Sequence, residues 1–152
     1  QIMKTIFKFF TLALICLATT NCHAQYYTGQ KVFKDKFPSE NKDYNQDTYI
    51  KIDNTCYGCK DMIVAVESIG LNKVIQHAYI KSGDAHDFEY IPVGTYVCKY
   101  MWTDSNGRKH YEKDEKSMKF GYDQYGGYVI TMKKTTIGNL EQEDISENEF
   151  FD

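Results

Sequence analysis

The sequence predicts an all-β domain, an antiparallel sandwich of about seven strands followed by a short C-terminal helical turn. Three observations carry that reading. Short runs rich in Val, Ile, Thr, Tyr and Phe recur from Thr48 to Lys134; Gly, Asn, Asp and Ser separate most of them; and no segment before the C-terminus shows an apolar stripe at helical spacing.

Taken in order, Thr48 to Asp53 opens the series. Met62 to Glu67 follows, with Met62, Val64 and Val66 able to point inward while Ile63, Ala65 and Glu67 take the other face. Lys73 to Lys81 and His86 to Tyr90 are the next two runs. Between Asp87 and Val97 a strand, a Pro-x-Gly turn and a second β-rich run adjoin without a gap. Pro92 has a fixed φ and no N–H, and Gly94 can supply φ > 0, so this segment predicts a hairpin. In Thr95 to Trp102 the residues Tyr96, Cys98, Tyr100 and Trp102 share one face and Val97, Lys99 and Met101 the other; the charge of Lys99 makes the first the core face.

Asp104-Ser105-Asn106-Gly107 reads as a hairpin turn. It would also begin a calcium loop, but Arg108, Lys109 and His110 stand where further acidic ligands are needed. Lys109 to Gln124 alternates poorly and predicts one ragged strand within a long loop. Tyr128 to Lys134 closes the series, with Tyr128, Ile130 and Met132 opposing Val129, Thr131 and Lys133. The expected core therefore includes Met62, Val64, Val66, Ile91, Tyr96, Tyr128 and Ile130. Near the C-terminus Ser146 occupies a possible N-cap with Glu149 three positions on, and Phe150 and Phe151 can dock the resulting turn.

Four regions are predicted. Residues 1–24 read as a signal peptide with upstream residues: Gln1 and Ile2 precede Met3, Lys4 and Lys8 form a basic head, Phe9 to Ala18 is apolar, and Cys22-His23-Ala24 precedes Gln25. The apolar run is shorter than the roughly 20 residues that span a bilayer, so no transmembrane segment is expected and the chain reads as exported, periplasmic or extracellular. Cys22 as a lipidated N-terminus is the rival reading, from which Asn21 departs. Residues 25–47 lack periodicity and read as a flexible leader, 48–140 as the sandwich, and 141–152 as an acidic segment. Glu141, Glu143, Asp144, Glu147, Glu149 and Asp152 crowd that last stretch without a Lys or Arg, which reads as a solvated tail. A formal charge of -3 gives no electrostatic footprint for nucleic acid.

Cys56-Tyr57-Gly58-Cys59 is the one motif with chemical content. A CxxC pair places two thiols within reach of each other, but no βαβ pattern surrounds it, so it reads as a turn between strands. In an oxidising compartment that leaves a local disulfide of Cys56 with Cys59, or a bridge from one of them to Cys98. Redox exchange and a zinc site remain as alternatives, with Cys98 and His86 as further redox residues or ligands. His77, with Tyr79 and Lys81 on its face, reads as a surface or half-buried side chain. His86-Asp87 would polarise a nucleophile only with a Ser or Cys that the sequence does not place. No catalytic residue, metal or cofactor is assigned. Tyr90, Tyr96, Tyr100, Trp102, Tyr111, Tyr122, Tyr125 and Tyr128 divide between core and rim, and a solvent-facing cluster among them would serve binding.

The string Phe88-x-x-Ile91-Pro92-x-Gly94-Thr95-Tyr96-x-Cys98 resembles the turn of carboxypeptidase-regulatory-like and transthyretin-like sandwiches, where Ile-Pro-x-Gly-x-Tyr joins adjacent strands. The wider pattern, from Asp61-Met62-Ile63-Val64 through His77-Ala78-Tyr79-Ile80-Lys81 to Ile145-Ser146-Glu147-Asn148-Glu149-Phe150, resembles small exported bacterial proteins, a likeness reaching from residue 48 to residue 150. It implies an immunoglobulin-like/transthyretin-like sandwich, a scaffold that serves in accessory, adhesive or carrier-binding modules. Cys98 stands where such folds place an aliphatic core residue, and His86 in an equally inward-looking slot. The functional expectation is a non-enzymatic, exported binding or structural module for a protein or glycan; the alternative is a redox-active or metal-binding periplasmic protein using Cys56 and Cys59. Cys98 and His86 converging on the cysteine turn would favour the alternative.

Overall fold

The computed structural model describes residues 25–133 and 142–152. The segment read as an export signal, Lys134 and Glu141 lie outside the described residues. The strands are β1 Thr48–Asp53, β2 Met62–Ser68, β3 Lys73–Ile80, β4 Ala85–Glu89, β5 Gly94–Thr103, β6 Lys109–Asp114, β7 Met118–Phe120, β8 Gly126–Thr131 and β9 Gln142–Asp144, followed by helix α1 Glu147–Phe151. They form two sheets, ordered β4-β1-β8 and β3-β2-β5-β6-β9, with β7 beside β6 on the same edge of β5. Among the described residues no helix is long and apolar enough to cross a membrane.

The sheets face each other across a core of Ile50, Ile52 and Phe88 from the first and Met62, Val64, Val66, Ala78, Ile80, Tyr96, Cys98 and Tyr100 from the second, joined by Ile91, Met118 and Phe120. The expected inward faces of β2 and β5 are these. A bulge opposite Val66 and Glu67 resets β3, so that Ile75 joins this core and Val74 turns to the opposite face. Tyr128 is corrected: it is 37% exposed, its hydroxyl donating to the Lys119 carbonyl at 3.1 Å, and Ile130 is only partly buried.

The Pro92 turn does not make a hairpin. β4 pairs with β1 and β5 with β2, so residues 90–93 carry the chain from one sheet to the other. Tyr90 N and Ile91 N donate to the Thr48 carbonyl at 2.8 and 3.4 Å, and the Thr48 hydroxyl donates to the Ile91 carbonyl at 2.6 Å. These bonds hold the segment to the start of β1 while Ile91 enters the core. Tyr90, with φ +60°, takes the left-handed conformation at the corner. Gly94 is needed for close approach, since a Cβ there would lie 2.9 Å from the Tyr96 hydroxyl.

Two further expectations change. Lys109 to Gln124 holds two strands, β6 and β7. β6 is half-buried along nearly its whole length, which is why its sequence shows no clean alternation. The sheets are also not wholly antiparallel: β1 and β8 run parallel, with Tyr49 opposite Gly127. A Cβ at Gly127 would run into the Tyr49 carbonyl oxygen, so this pairing requires glycine.

The sheet containing β2 and β5 is buried on both faces. Ile63, Ala65, Val74 and Met101 form a second core beneath a layer made by the chain termini: Val32, Phe33 and Phe37 on one side, Ile145, Phe150 and Phe151 on the other. Phe37 stacks on Phe151 at 5.9 Å and Phe33 meets it edge-on at 5.0 Å. Lys99 is therefore not a surface charge. It is 2% exposed, pairs with Glu67 at 3.0 Å, and donates to the Glu149 carbonyl at 2.5 Å beneath α1. Such a pair is retained in a dry site because both charges are hydrogen-bonded; removing one partner would leave the other uncompensated.

Of residues 25–47, expected to be a flexible leader, 29–41 are held along the free edge of β3, and Asp43 N donates to the Tyr90 carbonyl at 2.9 Å. Gly29 N donates to the Tyr79 carbonyl at 2.8 Å, Tyr79 N to the Gln30 carbonyl at 2.9 Å, Asn41 N to the Ile75 carbonyl at 3.0 Å and Lys31 Nζ to the His77 carbonyl at 2.6 Å. Sequence periodicity misses this because the segment pairs in isolated bonds, not as a strand. The acidic C-terminal segment is likewise docked. β9 pairs with β6, Lys113 reaches Glu143 at 3.1 Å and Glu149 at 2.9 Å, and Phe150 is fully buried. Ser146 caps α1 as expected, accepting from Glu149 N at 3.1 Å.

Candidate functional site

β2, β3 and β5 end together, which brings Tyr79, Ile63 and Met101 into one row across the outer face and Met62 beside Trp102 on the inner one. The β1–β2 connection folds over these strand ends. Fully buried Asn54 anchors it, donating through Nδ2 to the carbonyls of Lys60 at 2.8 Å and Lys81 at 3.1 Å. The result is a depression of about 500 Å³ whose walls include Tyr26, Tyr79 and Trp102, with Cys59, Lys60, Asp61 and Ser82 on its rim.

Its polar groups are held in place. Asp61 accepts the Tyr79 hydroxyl at 2.5 Å through one carboxylate oxygen and Ser82 N at 2.8 Å through the other. Burial first, then the bond to Asp61, raises the Tyr79 phenol well above its usual range, so it stays a donor. Tyr26 meets Tyr79 edge-on at 5.3 Å. Trp102 is backed by His110, stacked nearly parallel at 4.1 Å, and His110 Nε2 lies 3.1 Å from Asp104. Asp104 also accepts Asn106 N, Arg108 N and Arg108 Nε at 2.8 to 3.0 Å; the bond from Arg108 N first, then that with His110, hold its carboxyl well below the usual range. The same bonds build the hairpin turn expected there.

Cys56 and Cys59 lie at disulfide distance, with Cα atoms 5.4 Å apart, in a turn that leaves Tyr57 96% exposed. Cys98 is a buried thiol in mid-β5 opposite Val66, and burial raises its pKa well above the ordinary value. His86 belongs to the other sheet, opposite Ile52 and edge-on to Phe88 at 4.8 Å; burial lowers its pKa. The structure does not bring these two to the cysteine turn. Among the described residues no group of three or more His, Cys, Asp or Glu is arranged to hold a metal ion. A smaller depression of about 240 Å³ lies on the outer face of the β4-β1-β8 sheet, where Lys51 and Asp87 form an open ion pair at 3.8 Å.

The sequence placed Trp102 on the core face but did not connect it to Tyr26 or Asp61. The available signal was the only tryptophan of the chain at a strand end, with the cysteine turn preceding a paired strand.

His77 is corrected from a surface or half-buried side chain to a buried one, 2% exposed beneath the terminal layer, with Nε2 accepting from Phe33 N at 3.3 Å. Burial first, then Lys31 and, against the opposing pull of Glu40, Lys34 lower its pKa from 6.5 to about 4. The folded state thus favours neutral imidazole. Its contribution is complete above about pH 6.5 and is lost as pH falls toward 4, by at most about 1.4 kcal/mol per pH unit. Urea unfolding across that window should show a falling midpoint in the natural chain and a flatter profile in His77→Gln, with residual slope from His86. Equal slopes in the two proteins would refute the assignment.

Comparison with protein-family models, with curated proteins and with solved structures returns no match for this chain.

Proposed function

We propose that this is an exported, non-enzymatic binding module built on an immunoglobulin-like/transthyretin-like sandwich, whose depression beside the cysteine turn receives a protein or glycan partner. The observation that carries the reading is one depression lined by Trp102, Tyr26 and Tyr79 together with Asp61, whose carboxylate is held by two hydrogen bonds. Aromatic walls with a few fixed polar groups are the usual make-up of a recognition site, and the volume falls within the roughly 300 to 1,000 Å³ of ligand pockets. Asp61 and Tyr79 are engaged with each other, which suits recognition over proton transfer. The inter-sheet Ile91-Pro92-x-Gly94-x-Tyr96 corner supports the sandwich type, and the basic head and apolar run near the N-terminus, together with the cysteine pair, support export to an oxidising compartment.

Trp102 is the only tryptophan, so its emission reports on the site. Glycan and envelope-protein arrays probed with the natural chain, Trp102→Ala and Asp61→Ala should yield a partner that both variants lose while their far-ultraviolet circular dichroism is unchanged. A partner retained by both variants would overturn the reading. The exposed turn around Tyr57 favours thiol exchange by Cys56 and Cys59 as a second reading. A reduction potential below roughly −300 mV would make that pair structural and dismiss it.

A further inference from the structure

We infer that the ligand of the depression is the neutral end of a saccharide, an inference that rests on the binding-module reading and narrows it. The carboxylate of Asp61 is the central polar group. Each oxygen already accepts one hydrogen bond, from Tyr79 or from Ser82 N, and each retains acceptor capacity for a ligand hydroxyl. Because those bonds also fix the carboxylate, little conformational freedom is lost when it engages a ligand. Lys60 shares the rim with Asp61, so the site carries no excess of either charge to select an ionic ligand.

The aromatic walls complete the match. An indole or phenol face is electron-rich and meets the C–H face of a pyranose well, while the ring hydroxyls remain free to reach the rim. His110 stacked against one face of Trp102 fixes the indole plane before any ligand arrives. Ile63 and Met101, both buried, supply an apolar surface beneath.

A peptide fits less well. Extended peptides commonly add a strand to a free sheet edge, and the edge nearest this depression is that of β3. Gly29 and Gln30 already occupy it through their bonds to Tyr79, and the Thr28 hydroxyl accepts Lys81 N at 3.1 Å. Main-chain recognition is therefore closed there.

The test titrates Trp102 emission of the folded chain with cellobiose, maltose, lactose and diacetylchitobiose, with trilysine as an ionic control, and places the protein on a broad glycan array. We expect saturable binding of at least one neutral glycan, little change between low and high salt, and a loss of about tenfold or more in Asp61→Asn and Asp61→Ala, from removing hydrogen bonds to a charged acceptor. Salt-sensitive trilysine binding that depends on Asp61, without glycan binding, would overturn the saccharide assignment. So would capture of a defined envelope protein through Trp102 with no glycan bound, an outcome that leaves the binding-module reading standing. Absence of any Trp102-dependent ligand in either class would end both.

Discussion

Deleting residues 25–41 should leave a chain that unfolds at markedly lower urea concentration and self-associates. Two losses act together. The deletion strips Val32, Phe33 and Phe37 from the outer face of the β2–β5 sheet, exposing the second core of Ile63, Ala65, Val74 and Met101. Phe37 is buried and Val32 and Phe33 are partly buried, and full burial of a large apolar side chain contributes roughly 1.5 to 3 kcal/mol, so together these losses take a large share of the roughly 5 to 15 kcal/mol that holds a whole domain folded. It also removes the bonds that Gly29, Gln30, Lys31 and Asn41 make with β3, leaving an unpaired strand edge that invites pairing with another chain. Light scattering and urea denaturation check both effects. Phe37→Ala is the milder version, costing up to ~3 to 5 kcal/mol while leaving the edge covered. A monomeric deletion variant with an unchanged midpoint would show that the segment is only appended to the domain.

Tyr96→Ala should cost ~3 to 5 kcal/mol in the same assay. The ring is 2% exposed between the sheets and meets Phe120 edge-on at 5.9 Å. Its hydroxyl donates to the Pro92 carbonyl at 2.9 Å, tying the inter-sheet corner to the start of β5. Burial raises the phenol pKa, so the donor persists through the neutral range. The effect divides cleanly: Tyr96→Phe keeps the ring and should lose only ~1 kcal/mol, the net value of one hydrogen bond. If both variants lost the same amount, the hydroxyl and not the packing would hold the corner. If Tyr96→Ala lost less than ~1 kcal/mol, the ring would not be part of the core.

Much of the fold was legible because its signals are local. Alternation and flanking turn residues place β1 from Thr48 to Asp53, mark the inward faces of β2 and β5, and set the Ser146 cap of α1. β6 was not legible, since a strand half-buried on both faces shows no period of two. The site was harder still. Tyr26, Asp61, Tyr79 and Trp102 come from four separate segments, and none carries a motif that points to the others.

The same contrast separates what the sequence alone determined from what the tertiary structure decided. Side-chain period, turn chemistry and capping act over a few residues, so the chain by itself determined that it is a β protein with a capped C-terminal turn and two cysteines close enough to pair. Whether Pro92 and Gly94 close a hairpin or cross between sheets depends on bonds to Thr48, distant in the chain, that turn chemistry does not encode. Lys99 reads as a surface residue by type and His77 as a surface or half-buried one, yet the folded chain buries both. Glu67 and Glu149 satisfy the ammonium, Phe33 N satisfies the imidazole, and the apolar residues of the terminal layer exclude water above them. Burial of a polar group is decided by whether distant residues supply its hydrogen bonds, and only the assembled structure does that.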